Sequence, residues 1–291
     1  MASKNTQHKM SAAWREQNEP TEAERALLVH QVSIPCGTQG AWTLDKFTLD
    51  RRRNNSASSA ERKVIDQAIG LVDRSIPAGT YSRIWKREPS GRAVTVMTDT
   101  PAEIREHLPI IDKAHGRCLV NGLGLGMVAA ALLAKESVDC VVVIEQSPDV
   151  IALVAPTLFE RFGRKRLQVL NADALTCELW MGSFELDWRT VPMEHPEWDF
   201  VWHDIWDDIS DANIAEMEKL RERFATTARW QECWAEGACW RMRFGIEGAR
   251  ELMATSSATA SVAERVALLS NYVNEKLQER TLRLEKNRGA L

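Results

Sequence analysis

The stretch that decides the fold is VNGLGLG, residues 120–126. It ends a short apolar run at 118–121 that predicts a strand. It precedes an alanine- and leucine-rich stretch at 127–135 that favours a helix. Glycines between a strand and a helix let the backbone approach a ligand closely, because no side chain intervenes and glycine tolerates the dihedral angles of such a turn. The segment therefore predicts a ligand-binding loop.

The spacing of the three glycines bears on which ligand the loop binds. In the dinucleotide-binding pattern the third glycine comes three residues after the second, and Met127 occupies that position here. The third glycine of this chain is Gly126, two residues after Gly124. This spacing is less suited to cradling a pyrophosphate, so a dinucleotide-dependent oxidoreductase is disfavoured.

Strands and helices alternate along the chain after the loop. The β-branched run at 138–144 predicts a strand that is buried on both faces. Further along, the pattern predicts helices at 149–162 and 210–224 and strands at 167–170 and 199–204. Such alternation implies right-handed βαβ units, hence an α/β, Rossmann-like fold with a mostly parallel sheet and helices on both faces.

Each of four successive predicted strands ends in a polar or glycine group, the first in the glycine loop. Glu145 ends the second strand, where its carboxylate can accept hydrogen bonds from both hydroxyls of a ribose or, alternatively, cap the next helix. The segment 171–174 (NADA) follows the third strand, where an acceptor for an adenine amine would lie. His203 and Asp204 end the fourth. Ligands of open α/β sheets bind at the carboxyl ends of the strands, so these ends predict one nucleotide-type site.

The rest of the chain predicts smaller units around this domain. A helix at 21–31 begins with the capping-box pair Thr21 and Glu24, a helix is predicted at 60–72, and strands at 80–86 and 92–97 predict a β-hairpin followed by a helix at 101–113. We divide the chain into a partly disordered extension at 1–45, a small hairpin unit at 46–113, the nucleotide domain at 114–245, and a helical tail at 246–291. The tail has helical apolar spacing and predicts packing on the domain or on a partner subunit of a homo-oligomer.

Composition excludes several other classes of protein. The net charge of −4 gives no general drive toward nucleic acid or membranes. No apolar stretch has membrane-spanning length, and the polar N-terminus lacks a secretory core. The six cysteines form no Cys-x-x-Cys pair, which favours reduced thiols and no metal site. A cytoplasmic protein with a small-molecule ligand is the resulting expectation.

Four segments together resemble the successive motifs of class I S-adenosylmethionine-dependent methyltransferases. They are VNGLGLG (120–126), VIEQS (143–147), NADA (171–174) and DFVWHDIWDD (199–208). The resemblance covers about one third of the chain and leans toward the spermidine synthase-like branch. That branch has an N-terminal β unit, an acidic segment like that at 97–107 beside the cofactor, and an Asp-x-x-Asp sequence such as the one at 204–207. The whole chain also resembles uncharacterised phage-encoded methyltransferase-like proteins.

The resemblance implies a cofactor and roles for particular residues. S-adenosylmethionine would be held by Asn121, Gly122, Gly124, Gly126, Glu145, Gln146, Asp173 and Ala174. Its sulfonium makes the methyl group electrophilic without a metal. Asp204 would bind or deprotonate the substrate, Asp207 would hold a cationic amine, and His203 is the alternative base. Trp202 and Trp206 would either face the same cation or pack in the core.

Departures from the family pattern leave alternatives open. Leu125 stands where the synthases have an acidic residue in the glycine motif, which disfavours aminopropyl transfer. The Asn/Asp-Pro-Pro-Tyr motif of amino-directed DNA methyltransferases is absent, and no late antiparallel hairpin is evident after residue 225. Methyl transfer to a small or amine-bearing substrate is the leading hypothesis. Aminopropyl transfer, and a non-catalytic binding or assembly protein that keeps the fold, are the alternatives.

Overall fold

The computed structural model describes residues 12–53, 75–177, 198–255 and 262–288. The helix predicted at 60–72 lies outside these residues. The described chain begins with two short helices, α1 (Ala12–Asn18) and α2 (Glu22–Leu27). The capping box is confirmed, since the Glu24 N–H donates to Thr21 Oγ1 at 3.2 Å and the Thr21 N–H donates to Glu24 Oε2 at 2.8 Å.

A four-stranded antiparallel sheet precedes the nucleotide domain. Its strands, in spatial order, are β1 (Gly37–Gln39), β2 (Trp42–Leu49), β3 (Gly79–Arg87) and β4 (Ala93–Thr98). The predicted hairpin is confirmed as β3 and β4. The sequence did not predict β1 and β2, which fall largely in the stretch assigned to an extension. Full-length pairing of β2 with β3, from Trp42 opposite Lys86 to Leu49 opposite Gly79, supplies the partner that local patterning cannot show.

The second sheet has five parallel strands in the spatial order β7-β6-β5-β8-β9. Its strands are β5 (Gly116–Asn121), β6 (Val138–Glu145), β7 (Leu167–Asn171), β8 (Phe200–His203) and β9 (Gln231–Cys233). The helices around it are α3 (Pro101–Lys113), α4 (Met127–Leu133), α5 (Pro148–Phe162) and α6 (Ile214–Arg223). The prediction of a Rossmann-like α/β fold is confirmed.

The spatial order of the strands indicates where a ligand would bind in this sheet. The chain runs outward from β5 to β6 and β7 on one side, and then continues with β8 and β9 on the other. Right-handed crossovers put α4 and α5 on one face of the sheet and α6 on the opposite face. Residues 141–143 of β6 are fully buried, as a strand covered on both sides requires. The direction of the connections reverses between β5 and β8, which is where ligands bind in such sheets.

Two long helices complete the described chain, α7 (Glu236–Thr255) and α8 (Val262–Arg288). After β9 and a turn at 234–235, the described residues are helical. Leu269 and Val273 of α8 are buried against Met242 of α7. Gly248 of α7 allows this close contact, because a Cβ there would lie 2.6 Å from the ring of Tyr272. The tail therefore packs on a helix of its own chain.

Gly122 is the position in the loop that tolerates a side chain least. Its φ is +100°, and an added Cβ would lie 1.9 Å from the carbonyl oxygen of Asp204. We expect Gly122→Ala to lower the free energy of unfolding by on the order of 3–5 kcal/mol, because backbone strain and a backbone clash add together. Denaturant unfolding measures this change.

Gly91→Ala is the matched control for that measurement. Gly91 also has a positive φ, +86°, but nothing lies within 4 Å of its added Cβ. Gly91→Ala should lower the free energy of unfolding by about 1 kcal/mol, which is the contribution of backbone strain alone. Equal losses in the two variants would show that the approach of Asp204 to Gly122 imposes no constraint.

Candidate functional site

A cavity of 240 Å³ opens at the carboxyl ends of β5, β6, β7 and β8. The parallel sheet contributes six of the residues predicted to bind a cofactor: Gly122, Gly124, Glu145, Gln146, Asp173 and Ala174. The opposite wall comes from the antiparallel sheet and α3, through Trp42, Lys86, Met97, Glu103 and His107. The cavity therefore lies between the two sheets, at the reversal of strand order.

The glycine loop presents its backbone to the cavity and to β4. Gly124 has a φ of +49°, and a Cβ there would lie 2.3 Å from the thioether sulfur of Met97. The Leu125 N–H donates to that sulfur at 3.1 Å. Met97 thus ties the loop to the antiparallel sheet, and the missing side chain at Gly124 is what allows this contact.

Glu145 holds the glycine loop against the end of β6. Its Oε2 accepts a hydrogen bond from the Leu123 N–H at 3.0 Å, and its Oε1 accepts one from the Ser147 N–H at 2.8 Å. Burial raises the pKa of this carboxyl group, and the backbone donors partly offset the shift. A carboxylate can accept about four hydrogen bonds, so beside these backbone donors Glu145 can also accept from a hydroxyl in the cavity.

The residues after β7 form a turn that lines the cavity beside Glu145. Asp173 Oδ1 accepts from the Leu175 N–H at 2.8 Å and its Oδ2 from Thr176 Oγ1 at 3.2 Å, so this carboxylate closes the turn. Asn171 Nδ2 donates to the backbone oxygens of Glu145 and Gln146 at 3.0 and 2.9 Å. These bonds fix the ends of β6 and β7 relative to each other.

Asp204 lies at the end of β8, across the cavity from Glu145. Its side chain is 16% exposed, and His107 Nδ1 lies 3.8 Å from its Oδ2. Burial raises the pKa of Asp204 to about 8, and the nearby carboxylates of Glu103 and Glu106 raise it further. At neutral pH in the free protein this carboxyl group therefore holds its proton, as an acid–base catalyst working near pH 8 would.

Asp207 is paired with a cation that the protein itself supplies. The ammonium group of Lys86, on β3, forms an ion pair with Asp207 Oδ2. The same ammonium lies 5.7 Å from the centre of the Trp42 ring, its cross-strand neighbour. Asp207 thus lines the cavity, and in this arrangement its charge is directed to Lys86.

His203 and Asn121 do not line the cavity. His203 is fully buried, its Nδ1 lies 2.7 Å from Asn121 Nδ2 and its Nε2 lies 3.1 Å from Gln231 Oε1. Because both ring nitrogens are engaged and burial lowers the pKa of His203 to about 4, the ring serves as a neutral link between β5, β8 and β9. The structure does not bring His203 to where an alternative base would act.

The neutral state of His203 should make the fold sensitive to acid. Its folded pKa of about 4 lies below the ordinary histidine pKa of 6.5, so the contribution of this ring to stability is complete above pH 6.5 and is lost as the pH falls toward 4. The expected loss is about 3 kcal/mol. The difference between wild type and His203→Gln in urea unfolding at pH 8 and at pH 4 measures it, because His107 and Asp204 titrate in both proteins. An unchanged pH dependence in that variant would contradict the assignment.

Gly126, which was predicted to hold the cofactor, and Trp202, which was predicted to face a cation or pack in the core, both contribute to packing. Gly126 begins α4, and a Cβ there would lie 2.9 Å from the side chain of Leu158, so its missing side chain lets α5 approach. Trp202 is buried in β8 and does not line the cavity. Trp206 does line it, with its Nε1–H donating to Glu216 Oε2 at 2.8 Å.

Sequence reasoning did not name several residues of the opposite wall. Met97, Glu103 and His107 belong to the segment 97–107, which the family resemblance had placed beside a cofactor. Trp42 and Lys86 carried no local signal, since only the pairing of β2 with β3 brings them together.

In the part of the chain that the structure describes, no cluster of His, Cys, Asp and Glu side chains could hold a metal ion. Within the same residues, none of the helices combines the length and the apolar character needed to cross a membrane.

Comparison with known proteins adds similarity of fold only. No protein-family model matches the chain, and no curated protein matches it in sequence. Among solved structures, the 23S rRNA methyltransferase ErmE is 19% identical over 44% of this chain and 44% of its own, with a TM-score of 0.30. The mitomycin 7-O-methyltransferase MmcR is 16% identical over 43% of this chain and 32% of its own, with a TM-score of 0.30.

An S-adenosylmethionine-dependent methyltransferase from Clostridium acetobutylicum is 13% identical over 44% of each chain, with a TM-score of 0.28. Each of these matches spans less than half of both chains. At such identities and TM-scores the similarity carries no argument about activity, which must come from the site itself.

Proposed function

We propose that this chain is an S-adenosylmethionine-dependent methyltransferase whose acceptor is a small, amine-bearing molecule. The observation that carries the proposal is the pairing, across one cavity, of the Glu145 carboxylate beside the glycine loop with the buried Asp204 carboxyl group. The first matches the needs of an adenosyl ligand. The second matches the needs of proton removal.

The residues on the Glu145 side fit the adenosyl part of the cofactor. The carboxylate of Glu145 would accept from the ribose, and the small side chains of Ala172 and Ala174 leave room for a flat base. Gly122 and Gly124 present backbone to the same cavity. The bound cofactor would supply a methyl group on a sulfonium, which is electrophilic without a metal.

The residues on the Asp204 side fit a cationic or amine-bearing acceptor. The rings of Trp42, Trp206 and Trp234 line this part of the cavity together with the carboxyl groups of Glu103 and Asp204. Aromatic faces and carboxylates both attract ammonium groups. We therefore place the acceptor nitrogen beside Asp204, whose ionised form, populated as the pH rises toward 8, would take its proton.

The Asp-x-x-Asp sequence at 204–207 supports a place in the spermidine synthase-like branch, and the choice of donor tests this. Isothermal titration calorimetry with S-adenosylmethionine, decarboxylated S-adenosylmethionine and NAD⁺ separates the candidates. We expect binding of the carboxylated form and none of NAD⁺. Preference for the decarboxylated form would replace methyl transfer with aminopropyl transfer.

Transfer itself needs a labelled donor. Methyl-labelled S-adenosylmethionine incubated with small primary amines, such as putrescine and histamine, should give labelled product. Binding of the cofactor without transfer to any of a broad amine panel would favour the non-catalytic alternative. Failure to bind the cofactor at all would overturn the proposal.

A further inference from the structure

His107 has a position that packing alone does not explain. It lies on α3, is 3% exposed, and lines the cavity. Its ring lies edge-to-face with Trp202, 6.2 Å between centroids, and nearly parallel to Trp234, at 6.5 Å. Two indole rings therefore fix the direction in which its nitrogens point.

The Nδ1 atom of His107 is buried without a hydrogen-bond partner. The nearest carboxyl oxygen is Asp204 Oδ2, at 3.8 Å, which is about 1 Å longer than a hydrogen bond. Leaving a ring nitrogen buried and unpaired is costly, so such atoms call for an explanation. A hydrogen bond from the protonated Asp204 carboxyl group would pair this nitrogen.

We propose that His107 is a positioning residue, which offers Nδ1 to the Asp204 carboxyl group at the moment that group gains the proton of the acceptor amine. This inference rests on the proposed methyl transfer. The lone pair of the amine nitrogen forms the new bond to the methyl carbon, and the carbon–sulfur bond breaks with its electron pair going to sulfur. One N–H proton passes to the Asp204 carboxylate, which then donates its O–H to His107 Nδ1.

The charged groups around His107 and Asp204 favour Asp204 as the group that takes the proton and His107 as the hydrogen-bond acceptor. On α3, Glu103 and Glu106 flank His107 and raise the pKa of Asp204. Glu106 itself accepts from the Trp234 Nε1–H at 3.1 Å, and on the other side of the cavity Asp207 is neutralised by Lys86. Burial lowers the pKa of His107 to about 4, so its ring is neutral and its Nδ1 is available as an acceptor.

Two variants of His107 separate this role from packing. Asparagine places a polar atom near the position of Nδ1, whereas phenylalanine fills the aromatic box without an acceptor. In the unliganded protein, the ¹³C signal of the Asp204 carboxyl carbon reports its titration. We expect His107→Phe to lower the titration midpoint by about one pH unit, as loss of one hydrogen bond to the protonated form requires. His107→Asn should stay close to wild type.

A measurement on the unmutated ring keeps the inference testable if a variant does not fold. The ¹⁵N signal of His107 Nδ1 should move as Asp204 titrates in the wild type, and should stay constant over that pH range in Asp204→Asn. Identical titration midpoints of Asp204 in both His107 variants would overturn the inference. So would an Nδ1 signal in the wild type that does not change as Asp204 titrates. Since these measurements use neither cofactor nor acceptor, they fail independently of the proposed function, which stands or falls on cofactor binding.

Discussion

Replacing Asp204 with asparagine should abolish methyl transfer and at the same time stabilise the fold at alkaline pH. The amide cannot accept the proton of the acceptor amine, so the rate should fall by about 10²–10⁴-fold. It also cannot ionise in a buried site. A single substitution would then separate the function of this carboxyl group from its effect on folding.

The sign of the stability change follows from the pKa. The folded pKa of Asp204 is raised to about 8 from the ordinary aspartate pKa of 3.8, so the folded protein keeps a proton that the unfolded chain releases. The contribution of Asp204 to stability is therefore largest below pH 3.8 and falls as the pH rises toward 8. Asparagine removes this loss, so the variant should gain on the order of 2–4 kcal/mol at pH 8.5 relative to wild type and almost nothing near pH 4.

Urea unfolding at the two pH values measures that gain, and labelled-methyl transfer measures the loss of activity. Asp208→Asn is the matched control, because its carboxylate is exposed and lies only four residues further along the chain. It should change neither the stability nor its pH dependence. An Asp204→Asn protein that transfers methyl groups at the wild-type rate would refute the role of this residue. The same stability difference at both pH values would refute its buried, protonated state.

Removing the carboxylate of Glu145 should weaken cofactor binding by about 100-fold or more. Two effects combine in Glu145→Ala: the ribose hydroxyls lose their acceptor, and the Leu123 and Ser147 N–H groups lose theirs, so the glycine loop is no longer held. Hydrogen bonds to a charged group contribute about 1.5–3 kcal/mol each, which gives the expected change in the dissociation constant. Calorimetry with S-adenosylmethionine measures it.

Glu145→Gln tests which of the two effects is larger. Glutamine keeps one oxygen but turns the other position into a donor, which cannot accept from a backbone N–H, so an intermediate affinity is expected. Asp139→Asn, at the exposed opposite end of β6, is the control and should bind like wild type. Affinity in Glu145→Ala within about threefold of wild type would remove this residue from the site.

Much of the nucleotide domain follows from local chemistry. The β-branched run around 141–143, the glycines at 122–126 and the capping pair Thr21 and Glu24 each act through neighbouring backbone, and the structure has the expected element at each place. The acidic residue at the end of β6 lies beside the glycine loop because parallel strands end at the same edge of a sheet.

The substrate side of the cavity does not follow from local chemistry. Lys86 meets Trp42 and Asp207 only because β2 pairs with β3 in one register and because the antiparallel sheet covers the end of β8. His203 looked like a catalytic candidate, yet its two ring nitrogens are taken by Asn121 and Gln231, residues far from it in sequence. Such partners are set by packing between distant segments.

By itself, the sequence determined the order of strands and helices from β5 to α6, the glycine loop and the two carboxyl groups at strand ends. These depend on periodicity and on backbone conformations that a few adjacent residues control. Tertiary structure alone decided which side chains face the cavity and which are buried as structural links. Burial and charge at a site are sums over residues that the chain brings together only when it folds, and they set the neutral state of His107 and the proton on Asp204.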